Sequence, residues 1–176
     1  QPKPGDKIFE VGFGSGWQTA ILAHIVSQNG SQRSNVKGQK FGMVYAVERI
    51  PELFRFGRKN IAKYNFIKKG IVKTILGDAT MGLKKYAPFD PVRSKSPEAT
   101  ADAQAHWTSN GVDKIIAAAS GDRVPEAWLK ELRVGGRLVM PIKESIWLYI
   151  KKTEEEFEKQ EFPGFVFVPL ISDDKH

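Results

Sequence analysis

Three places in this sequence combine residue types and spacings that could hold an adenosine-like ligand: Glu10-Val11-Gly12-Phe13-Gly14-Ser15-Gly16, Glu48 directly after Met43-Val44-Tyr45-Ala46-Val47, and Gly77-Asp78-Ala79. Alternate glycines let a backbone turn tightly and approach a ligand, because a side chain at any of them would occupy that space. A plain structural turn is the competing reading of such a triplet. Glu48 ends an apolar run, where a carboxylate can accept hydrogen bonds from both ribose hydroxyls; alone, it could equally be a solvated strand-end charge. Asp78 can meet an adenine amino group or cap a short helix expected near Met81 to Tyr86, and the two readings stand level. A dinucleotide fingerprint would want glycine where Trp17 stands, so the pattern disfavours NAD and has the acidic, alternate-glycine form of S-adenosylmethionine sites.

Positioning such groups requires elements that end at one edge of a sheet. Lys7 to Val11 is a short apolar strand running into the glycine turn, and Trp17 to Ile25 has a helical apolar pattern. A polar stretch from Ser27 to Gln39 reads as a loop and accounts for the long interval between Gly12 and Glu48. Pro51 suits the first turn of an amphipathic helix, Ile71 to Leu76 is a third strand, and Val112 to Ala118 a fourth. Pro125 opens a short helix through Leu132, and Gly135-Gly136 leads into a strand at Arg137 to Met140. Ser145 to Lys151 and Phe165 to Leu170 are expected to close the sheet as an antiparallel pair across the Glu154 to Gly164 connection. The alternation predicts an α/β fold: a three-layer, Rossmann-like, mostly parallel sheet with an antiparallel strand near the C-terminal end, and ligands at the carboxyl ends of the strands. The Pro, Ser and Ala-rich stretch at 91–111 is expected to be a mobile insertion in a single domain spanning 1–176.

Composition narrows the chemistry. The chain has 176 residues and no cysteine, which excludes disulfides, thiol nucleophiles and thiolate metal sites; His24, His106 and His176 are too scattered for a metal cluster. No apolar run is long enough to span a membrane and the start lacks a signal-peptide core, so the sequence reads as soluble and cytoplasmic. Basic residues recur along the chain and give +7, a charge that by itself selects no partner. His24 reads as a partly buried packing residue, Trp128 and Trp147 as core or rim packing, and Glu154-Glu155-Glu156 as a solvated turn.

Gly12 to Gln18, Val47-Glu48-Arg49-Ile50-Pro51-Glu52-Leu53, Gly77-Asp78-Ala79-Thr80, Tyr86-Ala87-Pro88-Phe89-Asp90, Gly135-Gly136-Arg137-Leu138-Val139 and Phe167-Val168-Pro169-Leu170 together resemble the protein-L-isoaspartate O-methyltransferase family of class I methyltransferases. The resemblance implies S-adenosyl-L-methionine as cofactor, held by Glu10, Gly12, Phe13, Gly14, Ser15 and Gly16 at its methionine part, by Glu48 at the ribose, and by Arg49, Gly77, Asp78 and Ala79 around the adenine. It implies that Val168, Pro169 and Leu170 line a groove for the isoaspartyl peptide. The implied activity is protein repair by methylation of the isoaspartyl α-carboxylate, in a monomer that needs neither nucleic acid nor membrane. No catalytic acid or base is assigned, since a carboxylate is already ionised near neutral pH and the task is orientation and desolvation.

The family's upstream segment with a Thr-Ile-Ser-type motif has no counterpart here, because the chain begins at Gln1 close to the first strand. Weak transfer by these residues alone is therefore expected. The competing readings are an RNA methyltransferase, against which the absence of an Asn/Asp-Pro-Pro-aromatic motif at Ala117-Ala118-Ala119-Ser120 argues, and a non-catalytic cofactor-binding remnant.

Overall fold

The computed structural model describes residues 1–28, 42–86 and 111–171. Its strands are β1 (Lys7–Val11), β2 (Met43–Glu48), β3 (Val72–Leu76), β4 (Val112–Ala117), β5 (Leu132–Ile142), β6 (Ser145–Lys151) and β7 (Phe157–Pro163), and its helices α1 (Trp17–Ser27), α2 (Pro51–Ala62) and α3 (Glu126–Glu131). They form one sheet in the order β3-β2-β1-β4-β5-β6-β7. The first five strands run parallel, β6 is antiparallel to β5, and β7 is antiparallel to β6. The expected Rossmann-like, mostly parallel sheet with an antiparallel strand near its C-terminal end is therefore present.

The central strands are mostly apolar because both faces are covered. Ile8, Val44, Ala46 and Val72 pack with Leu22, Ala23 and Val26 of α1 and Ile61 of α2. On the other face Phe9, Val11, Tyr45, Val47, Ile115, Leu138 and Met140 surround Trp128 of α3. Glu10 breaks the apolar run of β1 yet is fully buried.

Four expectations change. The last strand is Phe157–Pro163, inside the expected connection, and not Phe165 to Leu170. Its sequence, FEKQEFP, is exposed after half-buried Phe157 and carries no alternating apolar face; it is held by the hairpin with β6, by Phe157 packed edge-on to Tyr149 at 6.4 Å, and by Lys159 over the Tyr149 ring, 5.4 Å from its centroid. Charge on an edge strand blocks further pairing, which is why periodicity misses it. β5 begins at Leu132, before Gly135-Gly136, because Gly135, at φ 79°, is absorbed in a register shift between the β4 partners Val112 and Lys114. The helix expected near Met81 to Tyr86 is two short 3-10 turns, Ala79–Met81 and Lys84–Tyr86, separated by Gly82. His24 is exposed, not partly buried.

The insertion expected at 91–111 and the Ala87 to Asp90 motif residues lie outside the described residues, Gly111 excepted, as does most of the loop expected from Ser27 to Gln39. Among the described residues no helix is long and apolar enough to cross a membrane.

Candidate functional site

The parallel registers Val11↔Val47 and Glu48↔Leu76 bring the carboxyl ends of β1, β2 and β3 side by side, so the glycine turn, Glu48 and Asp78 meet at one edge. Gly12 and Gly14 have φ of 76° and 49°, and a Cβ built on either would touch nothing within 4 Å. Left-handed backbone facing open space is what a ligand-approaching turn requires.

Glu48 does more than wait for a ligand. Oε2 accepts from Gly14 N–H at 2.9 Å, and Oε1 accepts from Arg49 N–H at 2.9 Å and Ile50 N–H at 3.0 Å. The carboxylate ties the glycine turn to the entry of α2, and with Oε1 accepting two bonds only Oε2 keeps a lone pair free. Both oxygens thus already accept backbone N–H groups, and the capacity left for ribose hydroxyls lies on Oε2.

Gly16 and Phe13 serve packing rather than open space. A Cβ on Gly16 would lie 2.6 Å from Gly57 O and 2.7 Å from the Ile61 side chain. Phe13 is buried, with its ring 5.8 Å from that of Phe54. Ser15 is exposed, and its carbonyl accepts from Asn60 Nδ2 at 3.0 Å. All three contacts converge on α2, where Gly57 was not foreseen as part of the site. A Cβ on Gly57 would overlap the Gly14 carbonyl and approach the Phe13 ring at 2.7 Å. The available sequence signal was an isolated glycine inside a helical pattern, which usually has a packing reason.

In an open helix Gly→Ala gains about 1 kcal/mol. Here Gly57→Ala is expected to lose about 1–3 kcal/mol, the scale of overpacking, because backbone rather than a side-chain tip must yield. Urea denaturation checks this, and a variant more stable than the parent would mean that the turn gives way freely.

Glu10 is 0% exposed, and neither carboxylate oxygen has a hydrogen-bond partner among the described residues. Burial pushes its carboxyl from 4.5 up to about 7; Thr19, nearby but not at regular hydrogen-bond geometry, opposes the rise, and the charge of Glu48 adds to it. An opposite charge brought beside such a buried, unpartnered acid would favour its ionised form.

Asp78 is also buried, and Oδ1 accepts from Thr80 N–H at 2.9 Å and Thr80 Oγ1 at 2.7 Å, the capping arrangement, on the first 3-10 turn. Its Oδ2 lies 3.8 Å from Arg49 Nη1, and its carbonyl accepts from the Tyr86 hydroxyl at 2.8 Å. Gly77 makes room for that tyrosine, since a Cβ there would collide with its phenol oxygen. The Ala79 carbonyl accepts from Trp128 Nε1 at 2.7 Å. Trp128 is core, as expected, and also fixes the turn after β3.

Val168 and Pro169 lie exposed at the carboxyl end of β4, held there by Ser120 N–H donating to Val168 O and Leu170 N–H donating to Ser120 O, each at 2.7 Å. Leu170 is half-buried and packs on the core, so it anchors the segment while Val168, 69% exposed, faces outward. Trp147 lines a cleft of about 450 Å³ with Asp122, Lys143 and Glu161 that includes no glycine-turn residue.

The profile of the family described as Protein-L-isoaspartate(D-aspartate) O-methyltransferase matches residues 1–102 and 98–175. The protein-L-isoaspartate O-methyltransferase of Staphylothermus marinus is 35% identical over 98% of this chain and 64% of its own length. That of Methanopyrus kandleri is 32% identical over 98% of this chain and 62% of its own. The chain thus spans under two thirds of these relatives. A protein-L-isoaspartate O-methyltransferase of Plasmodium falciparum, solved in complex with S-adenosyl-L-homocysteine, superposes with a TM-score of 0.67 at 24% identity, over 96% of this chain and 67% of that one, a likeness of fold.

Proposed function

The chain belongs to the protein-L-isoaspartate(D-aspartate) O-methyltransferase family, and on that premise we propose that it binds S-adenosyl-L-methionine at the carboxyl ends of β1 to β3 and transfers methyl to the α-carboxylate of isoaspartyl residues in damaged proteins. The observation that carries the reading is Glu10, a buried carboxylate without a partner beside a turn whose Gly12 and Gly14 face open space. A cofactor with a cationic methionine end fits both features.

The cofactor supplies an electrophilic methyl on a sulfonium. The remaining work belongs to the chain: Glu10 and the Gly12 to Gly16 turn bind the methionine end, the spare lone pair of Glu48 Oε2 takes a ribose hydroxyl, and Arg49, Gly77, Asp78 and Ala79 frame the adenine. Val168 and Pro169 offer an exposed apolar wall for a peptide, with Leu170 holding it to the core. No residue needs to move a proton, because the accepting carboxylate is ionised near neutral pH. Orientation and exclusion of water remain.

Glu48→Ala is expected to weaken S-adenosyl-L-homocysteine binding by about 1.5–3 kcal/mol, the scale of a hydrogen bond to a charged group, with part of the loss arising from the freed Gly14 N–H. Titration calorimetry measures it, and an unchanged affinity removes Glu48 from the site. The reaction is tested with labelled methyl donor on an isoaspartyl peptide and its aspartyl isomer. The isomers carry equal charge, so labelling of the first alone supports geometric selection. Equal labelling of both, or preferential labelling of RNA, overturns the repair reading.

A further inference from the structure

The charge of the chain is less evenly distributed than the recurrence of basic residues suggests. Between Glu52 and Lys69 stand Arg55, Arg58, Lys59, Lys63, Lys68 and Lys69 against the single acid Glu52, an excess of five within a chain of net +7. Helical spacing puts Arg55, Arg58, Lys59 and Ala62 on one side of α2. With Phe54, Ile67 and Lys68 they line a groove of about 440 Å³. At 100° per residue this side points away from Gly57, which meets the glycine turn. The groove is therefore distinct from the candidate site.

Arg58 and Lys59 are exposed and, like Lys68, form no ion pair among the described residues, whereas Arg55 Nη1 already holds the Glu52 carboxylate at 3.5 Å. The rim is cationic and the floor apolar: Phe54, Ala62 and Ile67. A single-stranded nucleic acid would want ring faces to stack on, but two of the three floor residues are aliphatic and the Phe54 ring packs beside Phe13 at 5.8 Å. A bilayer surface cannot enter a concavity. An acidic polypeptide with spaced aliphatic side chains matches both parts, carboxylates meeting the arginine forks and aliphatic groups the floor.

We propose that the groove between α2 and the Ile67-Lys68 turn docks an acidic, leucine-containing segment of a protein partner. Fluorescence anisotropy with a labelled peptide of Glu and Asp around spaced leucines tests this without relying on methyl transfer. Saturable binding is expected that falls as salt is added and weakens at least tenfold in the double variant Arg58→Glu, Lys59→Glu. An unchanged melting midpoint in that variant confirms that exposed charges were altered and not the fold. Absence of binding at low salt, equal binding by the double variant, or tighter competition from oligouridylate at the same residues each overturns the proposal.

Discussion

Glu10→Gln is expected to stabilise the ligand-free protein at pH 8 by about 3 kcal/mol and to leave it almost unchanged near pH 4.5. The buried carboxyl rises from 4.5 to about 7 on folding, so between these values the folded state holds a proton that the unfolded state has released. The contribution of the protonated acid is complete below 4.5 and is lost as pH rises through about 7, at about 1.4 kcal/mol for each tenfold change in proton affinity. Glutamine mimics the protonated form at every pH and removes the dependence. The cofactor side reverses the sign: a cation beside Glu10 favours the ionised acid, so binding of S-adenosyl-L-homocysteine by the parent should strengthen as pH climbs toward 7 and should be weaker and flatter in the variant. Melting curves and calorimetry at pH 5.5 and 8 measure both. Equal pH dependence of stability in parent and variant would show that Glu10 ionises without penalty.

Trp128→Ala should be the most damaging single substitution, costing about 3–5 kcal/mol. The side chain is 0% exposed, meets Phe9 edge to face at 5.8 Å, and belongs to α3, a helix of six residues. Its indole N–H also holds the Ala79 carbonyl, so the loss reaches the turn that positions Asp78. Trp128→Phe separates the two effects. It keeps most of the ring packing and gives up the hydrogen bond, with an expected loss of about 1–3 kcal/mol and weaker cofactor binding beyond what stability explains. Urea midpoints for both variants provide the check. An alanine variant within about 1 kcal/mol of the parent would mean that the core closes over the gap.

Local pattern was enough for the parallel half of the molecule. Strands covered on both faces carry mostly apolar residues, so β1 and β2 stand out from their composition, and β3 and β4 are marked by the apolar residues around Lys73 and after Lys114. The turn glycines, Glu48 and Asp78 follow directly from where those runs stop. Charged β7 carries no such mark, because its place comes from hairpin pairing with β6, whereas apolar Phe165 to Leu170 has a strand's composition yet joins the sheet only through an isolated bridge to Ser120 and the Phe165 N–H bond to the Glu144 carbonyl. Distance along the chain hides the rest. Gly57 is a neighbour of Gly14, Trp128 of Ala79, and Glu48 of Gly14 only once helices and strands are packed. The residue types at the strand ends are written in local order, whereas which carboxylate is spent on backbone, which glycine yields to a helix and which acid is left buried without a partner are set by long-range contacts, and those exist only in the folded chain.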